Sequence, residues 1–135
     1  MDREWHERYM LAAQVRELVA TGEFDETYAG LVMNPEANQV LVYRVPDHAA
    51  AFDAAVRAFS DERVQLLDAP YALAALEELR ARIQQDERIR WTTLAVRADG
   101  SAVEVGVPSE DEMVRAAELL TGQPVVFEVA NPVLA

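Results

Sequence analysis

The residues of this 135-residue chain that could move a proton or hold a metal ion are two histidines and several runs of carboxylates. His6 lies between Trp5 and Glu7, and His48 follows Asp47. Neither has a second histidine at ligand spacing, so a zinc site would need both to converge with distant carboxylates. The carboxylates stand at Asp25-Glu26, Asp61-Glu62, Glu77-Glu78, Asp86-Glu87 and Glu110-Asp111-Glu112. General acid–base work needs two carboxyls in one concave site with pKa values driven apart. These runs instead fall on helix surfaces, first turns and loops, where solvation accounts for them, and residues 110–112 suit a helix N-terminus. Ser60, Ser101 and Ser109 fall at turns or caps and not on a nucleophile elbow. With no lysine there is no phosphate-binding G-x-x-x-x-G-K motif, and with no cysteine there is no thiolate or disulfide. The expectation is no catalytic residue, no metal and no cofactor.

The aromatic residues offer a different chemistry. Tyr28 opens an apolar stretch and Trp91 lies near the start of another, while Trp5, Tyr43 and Phe127 complete the set to watch. Packing in a core is the common role of such side chains. A large aromatic on an edge strand can also anchor an interface, and Trp91, which follows Arg88-Ile89-Arg90, is the first choice for that role, with Phe127 and Tyr43 behind it.

The net charge of −12 restricts the partners. An acidic chain repels phosphate backbones, and its scattered arginines form no basic stripe, so nucleic acid and anionic membrane surfaces are excluded as expected partners. A basic protein or a cationic ligand would be attracted. No apolar run is long enough to span a membrane. The polar, acidic start lacks the features of a secretory signal, so the expected location is the cytoplasm, or outside the cell with a signal removed.

Periodicity supplies the elements that must carry these residues. Residues 4–20 read as a helix with Trp5, Tyr9, Ala12, Val15, Leu18 and Val19 on its apolar stripe, ended by Gly22. Residues 28–33 and 39–45 read as a hairpin around Asn34-Pro35-Glu36-Ala37-Asn38. Pro46-Asp47 opens a helix to about Phe59, with Pro46 in its first turn, and residues 63–67 form a strand. The order then restarts: a helix over 71–84, strands over 89–97 and 102–107 about Ala98-Asp99-Gly100-Ser101, a helix from Pro108-Ser109 to about Thr121, and a strand over 124–130. Ser109 and Glu112 predict a capping box.

The two halves match at a constant offset of 62 residues. Leu11-Ala12-Ala13 falls on Leu73-Ala74-Ala75, Val45-Pro46 on Val107-Pro108, Ala54-Ala55 on Ala116-Ala117, Val64 on Val126 and Pro70 on Pro132, with no gap. The expected fold class is α+β: two αββαβ repeats, residues 1–70 and 71–135, in one compact domain. Each repeat forms mixed β-sheet with its helices packed on one face.

Tyr28-Ala29-Gly30 with Asn34 resembles the F-A-G-x-x-x-[DN] opening of the pro-segment modules that precede secreted bacterial trypsin-like serine proteases of the alpha-lytic and streptogrisin type. Val40-Leu41-Val42 is similar to the family's second strand. Tyr71-Ala72-Leu73-Ala74-Ala75-Leu76-Glu77 is similar to its Y-S-x-A-E-L helix start, residues 91–107 to its second hairpin, and residues 122–127 to its closing strand. The likeness spans residues 26–132. It departs at Gly100-Ser101, where the family has asparagine, and within the helix motif. The resemblance implies a non-enzymatic α+β domain that binds protein as a folding helper or inhibitor. Two functions therefore stand side by side. One is a protein-binding module that engages a partner, or a second copy in a homodimer, through an exposed strand edge. The alternative is a small-ligand-binding protein or enzyme with a cleft of carboxylates and His48 or His6 between the repeats.

Overall fold

A computed structural model describes residues 3–130. The elements are α1 (Arg3–Val19), β1 (Tyr28–Asn34), β2 (Gln39–Arg44), α2 (Ala50–Phe59), β3 (Val64–Asp68), α3 (Leu73–Gln85), β4 (Thr93–Val96), β5 (Val103–Val107), α4 (Glu110–Leu119) and β6 (Val125–Val129). The order αββαβ thus occurs twice, and the fold class is α+β. The chain divides into two compact units. The first runs to residue 74 and takes in 98–100; the second holds 75–97 and the residues from 101 onward.

Each unit contains a three-stranded mixed sheet. In the first the order is β1-β2-β3, with β1 antiparallel and β3 parallel to β2. In the second the order β4-β5-β6 repeats this pairing. A hairpin supplies the antiparallel neighbour, and a helix crossover returns the chain parallel to the central strand.

Alternation decides the buried face. In the first unit Val40, Val42 and Val64 are fully buried beneath Leu11, Ala12 and Val15 of α1 and Phe52 and Val56 of α2. Their odd-numbered neighbours Leu41 and Tyr43 point the other way, as a period of two requires. In the second unit Val103, Val105 and Val107 meet Leu76, Leu79 and Ile83 of α3 and Ala116 of α4. Each pair of helices therefore covers one face of its sheet. Gly22 and Gly122, at φ +82° and +84°, end α1 and α4 in the left-handed conformation that glycine adopts without a Cβ penalty.

The repeat holds in topology but not at a constant offset. Core residues Leu31, Met33 and Val42 correspond to Leu94, Val96 and Val105, an offset of 63. Val64 and Leu66 correspond to Val125 and Phe127, an offset of 61. An offset of 62 would lay inward Val42 on Glu104, on the opposite face, because a slip of one residue inverts a strand. Through α1 and α3 the offset is 64, matching Ala12, Val15 and Val19 to Leu76, Leu79 and Ile83. The changes have three sources. A bulge between Tyr28 and Gly30 adds one residue to β1. Five residues, 45–49, separate β2 from α2, whereas two, 108 and 109, separate β5 from α4, which sets the offset of those helices at 60. Four residues, 60–63, then separate α2 from β3, against five, 120–124, between α4 and β6, which brings it to 61. Pro46 therefore lies in a turn ahead of α2 and not in its first turn; His48 at φ +64° interrupts the chain before the helix begins. Pro132 lies outside the described residues.

Three further expectations change. On α1, Trp5 and Tyr9 are exposed and stack on each other with centroids 5.4 Å apart, while Arg8, Leu11, Ala12 and Val15 face inward. Tyr9 stands about 160° around the helix from Leu11 at 3.6 residues per turn, so one sheet cannot cover both. The strand expected over 89–97 is confined to β4, which leaves Trp91 in the lead-in segment. Half of the capping box forms: Ser109 Oγ accepts from Glu112 N–H at 3.2 Å, but the Glu112 carboxylate turns to Arg90, 3.8 Å away.

Asp-Glu-Arg occurs twice as a strand or loop entrance. Asp61 Oδ1 accepts from Arg63 N–H at 2.8 Å and from its Nε at 3.0 Å; Asp86 does the same for Arg88 at 3.0 and 3.0 Å. The arginine side chain, and then its backbone N–H, holds each carboxyl down at about 2. Both groups lie below the unfolded value of about 3.9. Their stabilising effect is therefore complete above that value and disappears as pH falls through 2. Carboxyl carbon shifts should give midpoints near 2 for both residues; midpoints near 4 would contradict the bidentate turns.

Candidate functional site

The open edge of β6 is built by strand geometry. Ala130 N–H donates to Val107 O and Val103 N–H donates to Pro124 O, at 2.8 and 2.9 Å. A strand residue sends its N–H and C=O to the same side, so the even-numbered residues of β6 face β5. Phe127 and Val129 therefore direct their main-chain groups away from the sheet. Val125 N–H is turned back on Gln123 O at 2.9 Å. Among the described residues no fourth strand of this sheet lies beyond β6. Val126 and Val129 are 39% and 49% exposed, which puts apolar surface beside an open ladder.

Trp91 is 37% exposed. Its neighbour Thr92 donates N–H to Gly106 O at 2.7 Å and its hydroxyl to Ala130 O at 2.6 Å. Those two bonds fix the lead-in segment at the end of β6. Gly106 makes room for this crossing, since a Cβ there would come within 2.1 Å of Thr93 Oγ1. Phe127 is placed differently. Its half-buried ring packs on the core of the second unit, and only its backbone lies on the open edge. Tyr43 lies in the first unit, half-buried on the sheet face opposite the helices, in register with Gly30 and Leu67. The described structure thus brings Trp91 and the Phe127 strand to one end of the second unit, and Tyr43 belongs to another surface.

A second concave feature occurs inside the first unit. Residues 22–27, His48 and Ala51 line an open hollow of about 480 Å³. Its wall carries Glu23, Asp25 and Glu26, and the nearly buried Phe24 contributes an aromatic side. Phe24 and the buried Phe52 meet edge to face at 5.3 Å. Tyr28 packs on Phe52 at 6.2 Å, and burial pushes its phenol above the usual value, with Arg16 opposing. His48 thus stands near carboxylates as the ligand-binding alternative requires, although within one repeat. His6 is exposed on α1 and is not part of this wall. The signal in the sequence was the longer entry to α2, legible only once the strand registers are known. Among the described residues no cluster of three or more histidine, cysteine or carboxylate side chains could hold a metal ion. No described helix is long and apolar enough to cross a membrane.

Comparison with known proteins assigns no family: no family model and no curated protein matches the chain.

Proposed function

We propose that the chain is a non-enzymatic protein-binding module that takes an extended segment of a protein partner, or of a second copy, along the open edge of β6. The observation that carries this reading is the outward main chain of Phe127 and Val129 beside exposed Val126 and Val129. Strand addition draws affinity from such main-chain groups and specificity from the flanking side chains. An unprotected edge is ordinarily blunted by charge, proline or a covering loop; β6 carries one charge, Glu128. The resemblance of residues 26–132 to protease pro-segment modules points to protein binding as well. The net charge of −12 favours a basic partner.

Proline separates the edge from the fold. At Val129 it removes an outward N–H and leaves the β5–β6 ladder intact, which edge strands tolerate. Sedimentation equilibrium gives the self-association constant, and panning against displayed linear peptides gives heterologous binders. Val129→Pro should weaken the association or the selected peptides by about tenfold or more, the scale of one lost anchor. A parent chain that stays monomeric and selects no peptide, or binding that Val129→Pro leaves unchanged, refutes the edge. Trp91→Ala, read in the same assays, should weaken binding by about 2 kcal/mol with the melting temperature nearly constant. A large loss of stability with binding intact would make Trp91 a packing residue.

A further inference from the structure

β3 and β6 are the outer parallel strands of their sheets, and their free edges are finished differently. Val40 N–H donates to Arg63 O at 2.8 Å and Ala69 N–H to Arg44 O at 2.9 Å. The odd-numbered residues of β3 therefore face β2, and Val64, Leu66 and Asp68 turn their main chain outward. These three correspond to Val125, Phe127 and Val129. In the first unit both main-chain groups of Val64 are taken. Its N–H donates to Asp61 O at 3.1 Å, and its C=O accepts from a terminal nitrogen of Arg57 at 2.9 Å. Arg57 is the eighth residue of α2, and the eighth residue of α4 is Ala117, which has no donor to send to Val125 O. At the far end Asp68, held by Arg44, closes the side-chain row begun by Val64 and Leu66, whereas Val129 closes the row of Val125 and Phe127. An edge cation and a charge in the apolar row are devices that keep a further strand away. The first unit has both of them, and the second has apolar residues at both places.

We propose that the segment taken up on β6 alternates apolar and basic residues, and that β3 refuses it. The inference rests on the β6 edge as the binding surface and names the partner of that edge. A strand laid along β6 in either direction sends its side chains alternately to the two faces of the sheet. On the helix-covered face its neighbours are Phe127 and the exposed Val129, so apolar side chains extend the row. On the other face its neighbours are Val126 and Glu128. There Glu128 borders a hollow of about 160 Å³ with Arg97, Glu104 and Val126, and Arg97 is committed to Glu104 at 2.9 Å. Among the described residues Glu128 has no ion pair. A basic side chain on this face supplies one and lays its aliphatic stem on Val126. On β3 the same segment would meet Asp68 with its apolar row and Arg57 with its charges. A second copy is a poorer occupant, because each chain carries a charge of −12. Antiparallel pairing of β6 with itself about Glu128 sets like charges opposite, and pairing about Phe127 leaves both Glu128 side chains facing Val126.

The test is an amide-shift titration of the full chain with acetyl-Arg-Val-Arg-Val-Arg-Val-amide, its serine-for-arginine counterpart, and the block isomer acetyl-Val-Val-Val-Arg-Arg-Arg-amide. Saturable shifts from the alternating arginine peptide are expected at Phe127 and Val129 and not at Leu66, with one peptide bound per chain. The other two peptides should bind about tenfold more weakly. Glu128→Gln should reduce the preference for arginine over serine about threefold and leave the serine peptide unchanged. Ala117→Arg with Val129→Asp, both at exposed positions, should remove binding at β6. Arg57→Ala with Asp68→Val, also exposed, should bring Leu66 among the shifted amides and raise the stoichiometry to two. Equal binding of the serine peptide or the block isomer at Phe127 and Val129 overturns the proposal and leaves the edge standing. Shifts at Leu66 of the parent as large as those at Phe127, or a parent that dimerises through β6 in preference to the peptide, overturn it as well. Silence of all three peptides at Phe127 and Val129 overturns the edge itself.

Discussion

Phe52→Ala is expected to cost the first unit about 3–5 kcal/mol, the range for removing a fully buried aromatic ring. Phe52 is 0% exposed and is the largest such side chain in that core. It meets Phe24 at 5.3 Å and Tyr28 at 6.2 Å, so it supports both the hollow wall and the start of β1. A domain holds only about 5–15 kcal/mol in total, which makes this loss a large fraction. Phe52→Leu keeps most of the volume and should cost less than about 2 kcal/mol. Urea titration read from the methyl signals of Val42 and Val64 follows the first unit alone. The Tyr28 phenol should also move back toward its ordinary value in Phe52→Ala, since burial is what raises it. A loss below about 1 kcal/mol, with the Tyr28 titration unmoved, would mean that the cluster does not depend on this ring.

Where the sequence was legible, one period dominated. Val103, Glu104 and Val105 alternate apolar with charged, so strand and face follow together, whereas Val40, Leu41 and Val42 are apolar throughout and read as a strand without showing which face is buried. The Asn34–Asn38 turn was legible for the same kind of reason: Asn38 takes the left-handed conformation, φ +52°, that asparagine tolerates. Legibility failed where two local readings were both allowed. Trp5 and Tyr9 fit a helical stripe as well as Leu11 and Val15 do, and only the position of the sheet selects between them. Pro46 suits a first helical turn, but His48 reverses the backbone before α2 can start. The constant offset of 62 averaged over a bulge and a lengthened turn, and insertions of one or two residues are invisible to residue matching while they invert strand faces. Among the candidate site residues, the sequence left Trp91 between a core and an interface role, and the structure leaves it 37% exposed ahead of β4. Phe127 could not be resolved, because its side chain packs on the covered face of the sheet while its backbone lies along the outer edge of β6. The hollow was hidden because its carboxylates read as an ordinary solvated loop until the turn ahead of α2 brings His48 and Ala51 beside them.

Arg44→Met is expected to cost about 2 kcal/mol, the scale of lost charged hydrogen bonds in a partly buried setting. Arg44 ends β2 with a side chain only 13% exposed. Its Nε and a terminal nitrogen reach the two Asp53 oxygens at 2.9 and 3.2 Å, and its other terminal nitrogen pairs with Asp68. These bonds, Asp53's first, hold the guanidinium above its ordinary value, so the charge is permanent at any working pH. The two partners are not equivalent. Asp68 is 72% exposed and hydrates freely once unpaired, whereas Asp53 is 30% exposed and sits on α2, where the bidentate fork joins helix to strand. A double-mutant cycle should therefore give a coupling of about 1–2 kcal/mol for Arg44 with Asp53 and below about 0.5 kcal/mol for Arg44 with Asp68. Methionine preserves the apolar stem, so the loss reports the guanidinium and not the packing. Equal couplings, or an Arg44→Met variant within 0.5 kcal/mol of the parent, would show that solvent already screens the fork. In that case the β2–α2 junction would be held by the apolar contacts of Phe52 and Val56 alone.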